Sequence, residues 1–255
     1  MELIKEFLDE KYDKYNTHEF IANDPISIPH QFTRKEDIEI AGFLSASIAW
    51  GKRSIIVRNA QKIVENMGNS PYDFVCNAKD EQIERFLSFK HRTFNGIDAV
   101  FFVKSLQAIY TQKGGLQTIF EEGLELTGKI QHAIDHFRNV FLQTPHLERS
   151  EKHLSDVRKK SAAKRINMFL RWMVRNDKRG VDFGLWNIPS SKLMMPLDVH
   201  TGNCGRKLEL LTRKQNDWLA VEELTHSLSI FDPNDPVKYD FALFGLGIDE
   251  KFCTT

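Results

Sequence analysis

Apolar residues recur at helical spacing along nearly the whole chain of 255 residues. In residues 1–15 they lie three or four positions apart, which is the pattern of an amphipathic helix. The stretch from Asp37 to Trp50 is apolar on nearly every side and rich in small residues, as expected of a central helix packed all round. Strand-like alternation is absent over any useful length. The pattern predicts a compact, all-α fold.

Glycines, prolines and capping residues divide this pattern into separate helices. Asp98 is expected to cap one helix, which should end at the pair Gly114-Gly115. Ser161 and Asp198 are expected to cap two more. Further helices are predicted at 80–87, 116–126, 130–142, 216–231 and 236–246.

The chain shows no internal repeat, low-complexity tract or linker. We therefore expect a single all-α domain over residues 1–255. Within it, an N-terminal extension of about residues 1–35 should precede two helical halves, about 36–150 and 151–255. The halves are expected to flank a cleft, and the terminal segments could pack together.

Charge is unevenly distributed although the formal net charge is zero. Between Arg149 and Gly180 there are eleven Lys or Arg and three acids, whereas from Gln215 onward there are eight acids and two lysines. One basic sector on an acidic body favours docking onto phosphates in a single orientation. A solvated basic helix face would give the same composition.

The number of cysteines and the hydropathy of the chain indicate the cellular compartment in which the protein is expected. Three cysteines, at positions 76, 204 and 253, are too few and too scattered to indicate a disulfide framework or a zinc site. This usage is typical of a reducing cytoplasm. No uncharged apolar run reaches the length of about 18 residues that a membrane span needs.

Lys164 is the first candidate for chemistry. It should lie in the first turn of a helix that begins after Ser161, on the face opposite an apolar stripe and in line with Arg171 and Arg175. The positive end of the helix dipole and the neighbouring basic residues favour a neutral amine there. A lysine nucleophile requires that form, because only the neutral amine attacks a sugar C1′ or a carbonyl. An ordinary surface lysine is the competing interpretation.

Asp198 is the second candidate, and it comes where the segment PLDVHTGNCGRKLELL should turn into a helix. A capping aspartate accepts backbone N–H groups, which alone would explain the residue. The same contacts keep the carboxylate ionised and aimed in one direction. Those properties suit a group that stabilises an oxocarbenium ion or takes a proton from an attacking amine.

The segment PLDVHTGNCGRKLELL resembles the stretch of the helix-hairpin-helix DNA glycosylases, the endonuclease III and 8-oxoguanine glycosylase superfamily, that carries their catalytic aspartate. Residues 40–75 and the terminal DPVKYDFALFGLGI are similar in pattern to helices of that superfamily. The whole chain resembles more closely a bacterial family of unknown function related to it. The separation of 34 between Lys164 and Asp198 is similar to that of archaeal 8-oxoguanine glycosylases.

The resemblance implies a DNA-repair enzyme of base excision, which flips a damaged base, with 8-oxoguanine as a candidate, out of the duplex. It implies Asp198 as the catalytic aspartate and Lys164 as the Schiff-base lysine, with Lys159 and Lys160 as rivals. Strand cleavage could follow from the Schiff base. The chain departs from the superfamily because 153–163 replaces the hairpin L-P-G-[VI]-G without a glycine, and because the four-cysteine motif is missing. No iron–sulfur cluster, metal or other cofactor is therefore expected.

Two groups of residues would serve such a reaction. The aromatic residues suited to hold a flipped base, each of which could equally belong to the core, are Trp172, Phe183, Trp186 and Phe244. The basic residues suited to contact double-stranded DNA are Lys52, Arg53, Arg58, Lys159, Lys160, Arg171, Arg206 and Lys207.

Three alternatives remain open at this point. A non-catalytic nucleic-acid-binding protein could keep the same frame without the chemistry, and a helical scaffold could do without nucleic acid. His132 and His136 at helical spacing, with Asp135 between them, could bind a metal, although no third ligand of the usual motif follows.

Overall fold

Helices dominate the computed structural model, which describes residues 1–253. Lys90–His91 and Phe94–Asn95 form a short antiparallel hairpin. The all-α prediction is confirmed. The α-helices of the described chain are α1 (Glu2–Tyr15), α2 (His18–Ile21), α3 (Lys35–Ser47), α4 (Arg53–Asn66), α5 (Pro71–Asn77), α6 (Asp80–Ile83), α7 (Gly96–Gln112), α8 (Leu116–Glu125), α9 (Ile130–Phe141), α10 (Lys164–Val174), α11 (Val199–Lys207), α12 (Trp218–Ser229) and α13 (Tyr239–Ile248).

The chain folds into two compact units. A central unit spans Asn23–Ser155, and a terminal unit joins Met1–Ala22 to the chain from Asp156 onward. Helix α1 belongs to the terminal unit because it packs against α13. Gly245 makes this packing close, since a Cβ there would lie 2.3 Å from the ring of Tyr15. None of the helices within 1–253 is long and apolar enough to cross a bilayer.

Helix α3 lies at the core of the central unit. Every residue from Ile38 to Ser47 is buried, which confirms that this helix is packed on all sides. Phe43 contacts the rings of Phe102, Phe137 and Phe141 at centroid distances of 5.4 to 5.9 Å. Such aromatic contacts between helices supply a large part of the apolar area that a core of this kind buries.

Helix α7 begins three residues before the position predicted. Asn95, not Asp98, is its N-cap, and Asn95 Oδ1 accepts from the backbone N–H groups of Ile97 and Asp98. The carboxylate of Asp98 in turn accepts from the backbone N–H of Asn95 at 2.8 Å. The two side chains form a reciprocal capping box, in which the acid occupies the third helical position.

Helix α10 of the terminal unit is buried on both faces. Its apolar side chains enter the core, as predicted, but Arg171 and Arg175 on the other face are only 3% and 1% exposed. Arg171 donates to Asp182 at 3.2 Å and forms an ion pair with Asp240. The prediction that Arg171 contacts DNA is therefore wrong, because two buried carboxylates already hold its guanidinium.

Arg175 completes a network that reaches helix α1. Its guanidinium donates to Asp235 and Asp177 at 2.8 Å, to Asp182 at 3.1 Å and to the hydroxyl of Tyr12 at 2.7 Å. The nearby carboxylates hold the pKa of Arg175 above its ordinary value, although burial acts in the opposite direction. The network ties α10 to α1 and to the segment that precedes α13.

A disulfide joins Cys204 in helix α11 to Cys253. The sequence did not predict this bond, which the fold makes possible by bringing together two residues separated by 49 positions. Lys207 also donates to the backbone carbonyl of Phe252 at 2.6 Å. The segment after α13 is therefore fastened to α11 by a covalent and a polar contact.

The arginine network predicts a large effect of Arg175→Met on stability. Removing the cation leaves buried carboxylates without their partner, and we expect the free energy of unfolding to fall by about 3–5 kcal/mol. Urea denaturation measures the change. Arg179→Met is the matched control, since Arg179 pairs with Asp13 at the surface and should contribute no more than about 1 kcal/mol. Equal losses in the two variants would contradict the role assigned to the network.

The disulfide predicts a stability difference that depends on redox conditions. Closing a loop of 49 residues should restrict the unfolded chain enough to stabilise the protein by about 4 kcal/mol. Cys253→Ser should lose this amount in urea denaturation without reductant, and Cys76→Ser, at the free cysteine, should not. With reductant present, the wild type should match Cys253→Ser. A wild type equally stable in both buffers would refute the bond.

Candidate active site

Lys164 is the first residue of helix α10. The first-turn prediction is confirmed, but the N-cap is Ala163 rather than Ser161. Ser161 lies too early to cap the helix, because it forms a backbone bridge with Asp217 and its hydroxyl accepts from the N–H of Ala163 at 3.2 Å. Ala163 adopts a left-handed conformation with φ of 51°, which turns the chain into the helix immediately before the lysine.

Asp198 caps helix α11, as predicted. Its Oδ1 accepts from the backbone N–H of Thr201 at 3.0 Å, and its backbone carbonyl accepts from the side-chain amide of Asn216 at 3.2 Å. These contacts hold the residue from two sides. They leave Oδ2 facing away from the cap.

The two candidate residues come together. Lys164 Nζ lies 4.0 Å from Asp198 Oδ2, and the side chains are 25% and 27% exposed. The ammonium also lies 3.4 Å from the sulfur of Met168, one turn further along α10. The convergence predicted for the pair is confirmed, and neither side chain is sealed within the core.

Asp240, in the first turn of α13, is a third ionisable group of this site. It is 6% exposed and paired with Arg171. Burial raises its pKa to about 6, while the positive charges of Arg171 and Lys164 act to lower the value and the negative charge of Asp198 acts to raise it. Asp240 is therefore close enough to sense both members of the exposed pair.

Close packing of α11 against α13 brings these groups together. Gly247 of α13 faces α11, and a Cβ at this position would lie 3.0 Å from the Cβ of His200 and 3.5 Å from the sulfur of Cys204. An alanine there would require His200 to move by a few tenths of an ångström. The starts of α10, α11 and α13 thus supply Lys164, Asp198 and Asp240 to one cluster.

The aromatic candidates divide into two pairs. Trp172 is fully buried and Trp186 is 3% exposed, so neither can stack on a base without unfolding the core, and the prediction for these two is wrong. The sequence cannot distinguish an aromatic residue of the core from one that lines a pocket, because both lie among apolar neighbours. Phe183 and Phe244 are partly exposed, and the ring of Phe244 meets that of Phe20 edge-on at 6.3 Å. These two remain candidates for contact with a base.

The basic residues predicted to contact DNA fall into two groups, those that face solvent and those held by other parts of the protein. The first group consists of Lys52, Arg58, Lys159 and Lys160, which are exposed, and Arg53, which is partly exposed. These residues remain candidates for DNA contact.

Arg206 has a structural role instead. Its guanidinium donates to the backbone carbonyls of Arg213 and Lys214 at 2.8 and 2.9 Å and to the side chain of Asn216 at 2.6 Å. The ammonium of Lys207 is exposed but donates to the carbonyl of Phe252. The prediction of phosphate contacts is thus contradicted for Arg206, because its donors hold a loop.

His132 and His136 of α9, which the sequence offered as metal ligands, contact side chains of the protein. A ring nitrogen of His132 lies 2.5 Å from the hydroxyl of Thr127, and His136 lies 3.5 Å from the carboxylate of Glu122. Across residues 1–253, the structure contains no cluster of three or more His, Cys, Asp or Glu side chains that could hold a metal ion.

Sequence reasoning missed Asp240. The residue begins the apolar stretch DFALFGLGI, and one acid at the start of so apolar a helix is a signal that could have found it. A charged residue next to a buried helix needs a partner, and a buried arginine elsewhere in the chain provides one.

Comparison with known proteins places the chain in a family without assigning its activity. The profile of one family, described as a protein of unknown function (DUF2400), matches residues 24–249. The chain belongs to this family. No curated protein and no solved structure matches it significantly.

The elevated pKa of Asp240 predicts a change of stability with pH. Its ordinary value is 3.8 and the folded value is about 6, so the stabilisation is complete below pH 4 and is lost as the pH rises through 6. The variant Asp240→Asn has no carboxyl group to ionise at this position, so its stability should not fall in this way as the pH rises. Relative to the wild type, the variant should gain up to about 3 kcal/mol in the free energy of unfolding between pH 4 and 7.

Urea denaturation at several pH values measures this difference. Asp73→Asn serves as the matched control at an exposed position of the central unit. A constant difference between wild type and Asp240→Asn across the range would show that Asp240 has the same pKa in the folded and unfolded chain.

Proposed function

We propose that this protein is a DNA N-glycosylase that removes a damaged base with Lys164 as the nucleophile and Asp198 as its assistant. The observation that carries the proposal is the separation of 4.0 Å between Lys164 Nζ and Asp198 Oδ2, at a place where both side chains reach solvent. An amine and an aimed carboxylate are the groups that displacement at a sugar C1′ requires. The resemblance of the Asp198 segment to DNA glycosylases supports the same assignment.

The carboxylate of Asp198 can take a proton from the Lys164 ammonium and pass it to solvent, which leaves the amine with a lone pair and the carboxylate again negatively charged. The amine then forms a bond to C1′, and the base leaves with the electrons of the glycosidic bond. Until that bond is complete, the negative charge of Asp198 stabilises the positive charge that develops on the sugar. Opening of the sugar ring gives a Schiff base, from which elimination can cut the strand.

Asp198 suits this role because its two oxygens have different partners. Oδ1 is fixed by the N–H of Thr201, so the other oxygen keeps a constant direction towards the lysine. A group aimed before the substrate arrives need not reorganise as the charge develops.

The partner in this proposal is double-stranded DNA of the cytoplasm, with the damaged nucleotide flipped out of the stack. Phe183 and Phe244 are the aromatic side chains with enough exposure to meet a flipped base. Lys159 and Lys160, exposed just before α10, are the basic residues that would contact phosphates in this proposal. Damaged purines such as 8-oxoguanine are the first substrates to test.

Borohydride trapping tests the chemistry. The wild type, incubated with duplexes that contain 8-oxoguanine or an abasic site, should give a covalent adduct after reduction of the Schiff base. Lys164→Gln should abolish the adduct, because the amide cannot form an imine. Asp198→Asn should reduce the rate of adduct formation by about 10²-fold or more, since it removes both the proton acceptor and the negative charge.

Lys129→Gln, at an exposed position of the central unit, is the control for loss of a lysine and should leave the adduct intact. If Lys159→Gln or Lys160→Gln abolishes trapping and Lys164→Gln does not, the nucleophile has been assigned to the wrong residue. If the wild type binds duplex DNA but gives no adduct on a panel of lesions, the protein is a non-catalytic nucleic-acid-binding module on the same fold.

A further inference from the structure

A tight turn presents three consecutive basic residues just before the candidate nucleophile. In this basic turn, residues 156–161, Asp156 Oδ1 accepts from the backbone N–H groups of Arg158 and Lys159 at 3.1 and 3.2 Å. The N–H of Ser161 returns to the carbonyl of Asp156, and Lys160 takes a left-handed φ of 64°. These bonds hold the turn closed, and the side chains of residues 158–160 are exposed.

A second loop, residues 212–217, is held as firmly. Glu223 of α12 accepts from the N–H and the hydroxyl of Thr212, each at 2.6 Å, and from the N–H of Arg213 at 3.3 Å. Arg206 holds the loop from the other side through the carbonyls of Arg213 and Lys214. These bonds tie this anchored loop to α11 and α12, while the side chains of Lys214, Gln215 and Asn216 are exposed.

The basic turn and the anchored loop form one surface. Ser161 and Asp217 make an antiparallel backbone bridge, and the N–H of Trp218 donates to the carbonyl of Lys160 at 3.1 Å. Helix α10 starts three residues after the bridge, so this surface borders the candidate active site.

The surface carries a surplus of positive charge. Arg213 holds Asp217 with two hydrogen bonds and lowers the pKa of that carboxyl to about 2, and Arg158 lies 3.6 Å from Asp156. Within each of these two pairs, the positive and the negative charge cancel. Three ammonium groups, at the exposed residues Lys159, Lys160 and Lys214, form no ion pair with the described residues, while the carboxylates of Asp217 and Glu223 lie on the same surface.

An open cavity lies on the anchored loop. Its volume is about 510 Å³, and it is lined by Thr212, Arg213, Lys214, Gln215, Leu219 and Glu223. Leu219 is 48% exposed, so apolar surface lies beside the cations and the amide of Gln215. Cations, an amide and apolar surface on one loop fit a chain of phosphates and sugars better than a single small anion. The Glu223 carboxylate in the lining is already hydrogen-bonded to Thr212 and Arg213.

We propose that the anchored loop, with Lys214 as its principal contact, binds the phosphodiester backbone of DNA and acts together with the basic turn. This site rests on the proposed function in naming DNA as the ligand, but it does not depend on the Lys164 chemistry. It provides a grip on the strand that the missing glycine hairpin would otherwise supply. The two loops contact phosphates on either side of their backbone bridge.

The salt dependence of binding to undamaged duplex DNA tests the site. Each phosphate contact made by a lysine contributes about 0.9 to the slope of log K against log salt concentration. Lys214→Gln should reduce the slope by about 1 and weaken binding about eightfold at 0.1 M salt. Gln215→Arg, which adds a cation to the same cavity, should raise the slope and tighten binding by a similar factor.

Lys129→Gln removes the same charge from the central unit and is the matched control, expected to bind as the wild type does. The site is refuted if Lys214→Gln binds like the wild type, if Lys129→Gln weakens binding equally, or if the wild type does not bind duplex DNA. Circular dichroism and urea denaturation confirm that each variant is folded. Because undamaged DNA is used, failure of the borohydride adduct leaves this result unaffected, and the two proposals are judged separately.

Discussion

The buried ion network of helix α10 is the interaction on which the candidate site depends. Arg171 and Arg175 would be strongly unfavourable in the core by themselves, so their carboxylate partners must take fixed positions around them. The partners come from segments far apart in the chain, which the network draws onto one helix. Lys164 begins that helix, and Asp240 is one of the partners. The geometry of the site therefore follows from charge compensation within the fold.

The three ionisable groups of the site share a common placement at the starts of helices. A helix start offers unpaired N–H groups and the positive end of a dipole, which hold a carboxylate such as Asp198. Asp240 differs because burial dominates its electrostatics and raises its pKa. One partly exposed acid, Asp198, and one buried acid, Asp240, give the site two carboxyl groups in different environments.

Periodicity and capping rules predicted the helical fold, the central position of α3 and the meeting of Lys164 with Asp198. These features depend on local preferences and on one apolar face per helix. Arg171 and Trp172 were placed wrongly because α10 is enclosed on both sides, and a helical wheel does not reveal whether a polar face meets water or buried acids. The Cys204–Cys253 bond was missed for a related reason, since only the packing of α11 and α13 brings the two thiols together. In each case the deciding partner is remote in sequence.

The left-handed residue at the start of α10 has a consequence for engineering. Ala163, with φ of 51°, adopts a conformation that costs an L-amino acid about 1–2 kcal/mol and glycine almost nothing. Glycine normally weakens the chain it enters, yet here it would relieve strain immediately beside the amine. Position 163 is therefore a place where a more stable protein could be obtained without changing Lys164 or Asp198. The gain in the free energy of unfolding of Ala163→Gly would measure the backbone strain at this position.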